Sequence, residues 1–90
     1  MNHTPVYLCA PKRSAVGSIG GALSSLSAHQ IASEVLKGVL TEAHLPLNGV
    51  DQVILGCVLS AGQGQAPARQ ALLRAGLPVS VQALTINKVC

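Results

Sequence analysis

The chain has 90 residues, of which 49% are hydrophobic and only 10% charged, with a formal net charge of +3. An average soluble domain carries roughly 25% charged residues, so a chain this apolar is expected to pack against further protein rather than stand alone in water. The six basic residues (Lys12, Arg13, Lys37, Arg69, Arg74 and Lys88) are scattered and there is one tyrosine, which argues against nucleic-acid binding.

Met1 to Pro5 is too short and polar for a secretory leader, and the longest apolar run, Val53 to Leu59, is far below the roughly 20 residues of a membrane span. A cytoplasmic protein is expected. Cys9, Cys57 and Cys90 form no Cys-x-x-Cys pattern, and their odd count argues against a disulfide framework and for thiols in a reducing compartment.

The first strand is predicted at Val6 to Ala10, where Val6, Leu8 and Ala10 point one way and Tyr7 and Cys9 the other, both sides largely apolar. Pro11 stops it. The stretch that follows, with Lys12, Arg13 and glycines 17, 20 and 21, matches neither a P-loop nor Gly-x-Gly-x-x-Gly and reads as a structural loop.

Ser27-Ala28-His29-Gln30 is a capping box that opens the first helix. Ala28, Ile31, Ala32, Val35, Leu36, Val39, Leu40 and Ala43 then recur at spacings of three and four as its buried stripe. His29, Glu34, Lys37, Thr41, Glu42 and His44 fall on the other face. Neither histidine has a carboxylate or cysteine at ligand spacing, so both are expected to be surface or capping groups and no metal site is expected. Pro46 blocks continuation.

A second strand is predicted over Val50 to Leu59, its central Val53 to Leu59 a near-continuous apolar run as in buried parallel strands. Gly62-Gln63-Gly64-Gln65 makes a tight loop, and Pro67 suits the first turn of a second helix whose buried side is Ala68, Ala71, Leu72 and Ala75. Gly76 and Pro78 end it. The third strand runs from about Val81 to Val89 and completes a β-α-β-α-β pattern of the α/β class.

That last strand delivers Cys90 to its carboxyl end. Side chains at such ends face the ligand crevice of α/β proteins, and a helix starting there would stabilise a thiolate through its unpaired amides. On position alone, a packed thiol fits as well as a nucleophile; Cys9 and Cys57, inside apolar strands, read as packed thiols.

Four pieces carry a family resemblance: Arg13-Ser14-Ala15-Val16-Gly17, Val53 to Leu59, Gly62-Gln63-Gly64-Gln65-Ala66-Pro67-Ala68-Arg69-Gln70, and Ile86-Asn87-Lys88-Val89-Cys90. In this order and spacing they resemble the amino-terminal part of a thiolase. The resemblance implies a five-layered α-β-α-β-α fold, of which residues 1–90 are the amino-terminal part of the amino-terminal domain. The rest of that domain, a loop domain holding coenzyme A and a carboxyl-terminal domain would lie elsewhere, with a second chain beginning Gly-Ser-Gly as the expected partner.

It further implies an acyltransferase of the acetyl-CoA C-acetyltransferase type, with Cys90 as the nucleophile that carries the acyl group as a thioester. Acetyl-CoA then condenses with it to a 3-ketoacyl-CoA, or thiolysis runs in reverse. Coenzyme A thioesters enter as substrates; no cofactor is expected on this segment, its coenzyme-binding residues are unknown, and the segment alone is expected to be inactive. The implied assembly is a homo-oligomer, dimer or tetramer, with Thr85 to Lys88 between subunits. A ketoacyl synthase type of condensing enzyme and a non-catalytic structural subunit are the alternatives.

Overall fold

The computed structural model describes residues 2–89. Its order of elements is helix α1 (Ala28–Glu42), a single 3-10 turn (Leu47–Gly49), strand β1 (Gln52–Gly56), helix α2 (Pro67–Arg74) and strand β2 (Gln82–Ile86). The two strands are parallel, in a register that sets Gln52 beside Gln82 and Gly56 beside Ile86. Parallel neighbours need a crossover, and α2 provides it.

α1 begins as its sequence dictates. The Gln30 amide donates to Ser27 Oγ at 3.2 Å while the Ser27 amide donates to Gln30 Oε1 at 2.7 Å, so two otherwise orphaned donors are satisfied reciprocally. At the other end, the Leu45 amide reaches the Leu40 carbonyl at 3.1 Å and the His44 amide the Thr41 carbonyl at 3.2 Å. This is a Schellman closure, and it forces His44 to φ +54°. Left-handed backbone costs a side-chain-bearing residue about 1–2 kcal/mol, part of which glycine returns as unfolded-chain entropy. His44 is exposed; His44→Gly is therefore expected to stabilise the protein by about 0.5–1 kcal/mol, read as a higher denaturation midpoint, and a lower midpoint would contradict this account of the cap.

α2 ends by the same device with the residue that suits it. Gly76 takes φ +88°, its amide bonding Leu73 O at 3.1 Å and that of Leu77 bonding Leu72 O at 3.0 Å. Ala68, Ala71, Leu72 and Ala75 are all buried, the face expected from their spacing. The core is Leu40, Val53, Leu72, Leu77 and Val81, with Leu36, Val50, Leu55 and Ala83 packed around it. It lies between the two helices and the inner face of the sheet.

The strand expected over Val6 to Ala10 is not formed: Val6, Tyr7 and Leu8 are 88%, 81% and 99% exposed, and the segment joins no ladder among the described residues. A strand is stabilised only by a partner edge and a covered face, and here it has neither. Within the described residues the expected β-α-β-α-β pattern is thus α-β-α-β, still α/β with a parallel sheet. The other two strands are shorter than expected because pairing ends where the partner ends; Leu59 and Val89 beyond them are 84% and 68% exposed.

The buried face of α1 is also displaced from the expected stripe. His29, Ser33 and Leu40 are its buried residues, whereas Ala28 is exposed and Ile31 and Val35 are only half-buried. His29, read as an outward group, is the correction. Its burial is tolerated because Nδ1 lies 3.3 Å from Ser27 Oγ, and Ser33 is likewise satisfied by donating to the Gln30 carbonyl at 2.7 Å.

Candidate functional site at the carboxyl edge of the sheet

Both strands run in one direction, so the loop after β1 and the residues after β2 emerge on the same edge. Open α/β sheets bind ligands on this edge. Cys90, the one residue singled out as a nucleophile, lies outside the described residues. What can be built from the residues upward is the frame that leads to it.

β2 enters that frame through its ladder with β1, which extends one step further where the Cys57 amide donates to the Ile86 carbonyl at 3.0 Å. Asn87, Lys88 and Val89 follow, exposed. Beside them stands the loop after β1, moulded by Gly62 at φ +77° and Gly64 at φ +79°. Gln70 Nε2 donates to the carbonyls of Gln63 at 3.0 Å and Gln65 at 2.6 Å. Glycine is needed at position 64 for its backbone angle, and a Cβ there would meet Gln70 Nε2 at 2.8 Å and shift that amide off its two carbonyls. Gln63 Oε1 in turn accepts from the Ala28 amide at 2.8 Å, joining the loop to the start of α1.

α2 starts immediately after this loop without a local cap. Ala66 sits at its N-cap at φ +45° and has no side-chain acceptor to offer. Instead the Ala68 amide donates to Thr85 Oγ1, on β2, at 3.0 Å. One residue on, the Arg69 guanidinium donates to the carbonyls of Val81 at 2.8 Å and Val79 at 2.9 Å. Sequence reading did not find these contacts. Its available signal was an alanine where a helix start prefers Ser, Thr, Asp or Asn, which requires an acceptor from elsewhere in the chain.

Of the other cysteines, Cys57 directly follows β1 on this same edge, whereas Cys9 belongs to no strand of the sheet. Cys9 is exposed in the amino-terminal segment, and half-buried Cys57 lines a cavity of about 60 Å³ with His29, Leu55 and Pro67 on the helix side of the sheet. A larger cavity of about 540 Å³ follows β2 along its length, between Val79 and Thr85 with Ala66 and Arg69. Among the described residues no three His, Cys, Asp or Glu side chains gather as a metal site would require, and no helix is long and apolar enough to cross a membrane.

Comparison with known proteins agrees with this frame. The family model described as the N-terminal domain of thiolase matches residues 6–90. An acetyl-CoA acetyltransferase of Allochromatium vinosum is 60% identical over 78 residues, covering 87% of this chain and 20% of that protein. A cytosolic acetyl-CoA acetyltransferase of Gibberella zeae is 49% identical over 89 residues, 99% of this chain and 22% of that one, and a mitochondrial one of Danio rerio is 49% identical over 85 residues, 94% of this chain and 20% of its own length. A crystal structure of a thiolase from Ascaris suum in complex with coenzyme A superposes with a TM-score of 0.75 at 43% identity, covering 78% of this chain and 18% of that one. The chain thus spans about a fifth of the length of the curated relatives it matches.

Proposed function

This chain belongs to the thiolase family, whose N-terminal domain matches residues 6–90, and from that premise we propose that the protein containing it transfers acyl groups between coenzyme A thioesters. In this reading residues 1–90 are the amino-terminal part of the amino-terminal domain, and Cys90 is the nucleophile. Its thiolate adds to the carbonyl of an acyl-CoA; the tetrahedral adduct expels coenzyme A thiolate and leaves the acyl group on Cys90 as a thioester. A second acetyl-CoA, deprotonated at its methyl carbon, attacks that thioester. Cys90 thiolate then leaves and 3-ketoacyl-CoA is released; when both acyl groups are acetyl the product is acetoacetyl-CoA. Thiolysis is the same path reversed. The bases, oxyanion donors and coenzyme-binding groups belong to residues beyond this segment.

The observation that supports the proposal is the family match together with a parallel strand, β2, whose carboxyl end lies on the edge where such folds bind ligands, Cys90 being four residues further along the sequence. A cytoplasmic location is part of the same reading, supported by the cytosolic relative, although a mitochondrial one is equally similar. Further chain and a homo-oligomeric partner are proposed to cover the outer face of the sheet, where Ile54, Leu84 and Ile86 are 52%, 47% and 41% exposed; exposed apolar area of this kind marks an interaction surface.

The test is direct. The full-length protein, given acetyl-CoA alone, is expected to release free coenzyme A and form acetoacetyl-CoA, and to cleave acetoacetyl-CoA when coenzyme A is in excess. Release of free coenzyme A without acetoacetyl-CoA, or no turnover in either direction, would overturn the assignment.

A further inference from the structure

β2 poses a register problem. Its outward residues are Gln82, Leu84 and Ile86, and its inward ones are Ala83 and Thr85, which continue the side of the buried Val81. In a strand, a slip of one residue exchanges the two faces. The buried Val81 and the outward Gln82 favour the observed register while Leu84 and Ile86 favour the opposite one, so the hydrophobic pattern of β2 does not fix its register by itself and something else must hold it.

Consecutive residues in the first turn of α2 provide it. Ala68 is fully buried, so its amide has no water to turn to, and its bond to Thr85 Oγ1 at 3.0 Å is the one that satisfies it. Losing that acceptor leaves a buried donor unpaired, which is more costly than losing a solvated bond. Arg69 grips the approach to the strand through two charge-assisted bonds, to Val79 O and Val81 O. The strand is thus held near both ends by one helical turn, and a one-residue slip would break all three bonds.

We propose that Thr85 and Arg69 are positioning residues, which set the register of β2 and so the placement of the nucleophile that follows it. The proposal rests on the reading of Cys90 as that nucleophile. A displacement of about 1 Å at a reacting group costs on the order of 100-fold in rate, so the register of the strand leading to Cys90 governs acyl transfer even though neither residue touches substrate.

The experiment uses the full-length protein and three variants. Thr85→Val keeps the shape and removes the acceptor, Thr85→Ser restores it, and Arg69→Gln loosens the other end. The rate of acetylation of the Cys90 peptide by acetyl-CoA is expected to fall about 10–100-fold in Thr85→Val, with KM within about twofold, and to return to within about threefold of the unsubstituted rate in Thr85→Ser. Arg69→Gln is expected to fall in the same direction and serves if Thr85→Val does not accumulate folded. Unchanged acetylation in a folded Thr85→Val, equal loss in Thr85→Ser, or failure of both Thr85→Val and Arg69→Gln to fold would overturn the proposal and leave a purely structural role.

Hydrogen exchange separates this proposal from the assignment of the nucleophile. Protection of the amides of Gln82 to Ile86 is expected to drop at least about tenfold in Thr85→Val while that of α1 is retained; equal protection in both proteins would overturn the register claim wherever the acetyl group is found. Acetyl on a residue other than Cys90 in the unsubstituted protein would sink the nucleophile reading alone.

Discussion

Cys90→Ala in the full-length protein is expected to lower the formation of acetoacetyl-CoA by about a thousandfold or more, the scale on which removal of a nucleophile acts when the mechanism passes through a covalent intermediate. The size of the effect follows from the absence of a substitute among the described residues. Cys9 is exposed in a segment that joins no ladder. Cys57 is committed by its backbone to Ile86 and shares its small cavity with His29 and Pro67 on the helix side of the sheet. Cys57 stands beside the last residue of β2, yet its half-buried side chain lines the cavity on the helix side of the sheet. Steady-state turnover checks the prediction, and activity within about tenfold of the unsubstituted protein would place the acyl group elsewhere.

Leu72→Ala is expected to cost about 2–5 kcal/mol of stability, a large part of the 5–15 kcal/mol that a typical domain possesses. Leu72 is fully buried at the centre of the cluster formed with Leu40, Val53, Leu77 and Val81. Removing its side chain deletes apolar contacts between α2, α1 and both strands at once, and the backbone there is not free to collapse, since the Leu72 carbonyl already closes the end of α2 through the Leu77 amide. Leu73, next in sequence and 43% exposed, is the control: Leu73→Ala is expected to cost less than about 1 kcal/mol. Denaturant unfolding of the full-length variants measures both, and equal losses at the two positions would contradict the core as described.

Local chemistry was legible in the sequence wherever it is sufficient by itself. The capping box of Ser27 and Gln30 is formed by residues three apart, and Pro67 and Gly76 bound α2 through their own backbone preferences. The alanine face of α2 follows from helical spacing. Contacts distant in sequence were not legible. Thr85 caps a helix 17 residues before it, and no periodicity encodes that. His29 was read outward because a polar residue usually is; tertiary packing buried it, with Ser27 as its partner. Val6 to Ala10 has the composition of a strand, but a strand also requires an edge, and none is paired with it among the described residues.

The family too was legible, since Gly62, Gly64, Pro67, Arg69 and Gln70 each have a structural reason to be where they are. Gly64 makes room for Gln70, which shapes the loop, and Arg69 holds the approach to β2. The tight loop at Gly62 to Gln65 and the helix start that follows it therefore act, in the structure, as the support for the neighbouring strand.

Peptide mass spectrometry of the full-length protein after brief exposure to acetyl-CoA tests the central claim most directly. A mass increase of one acetyl group on the peptide ending in or spanning Cys90, lost when coenzyme A is added in excess, is the result expected. Acetyl on Cys9 or Cys57 with Cys90 unmodified would contradict it.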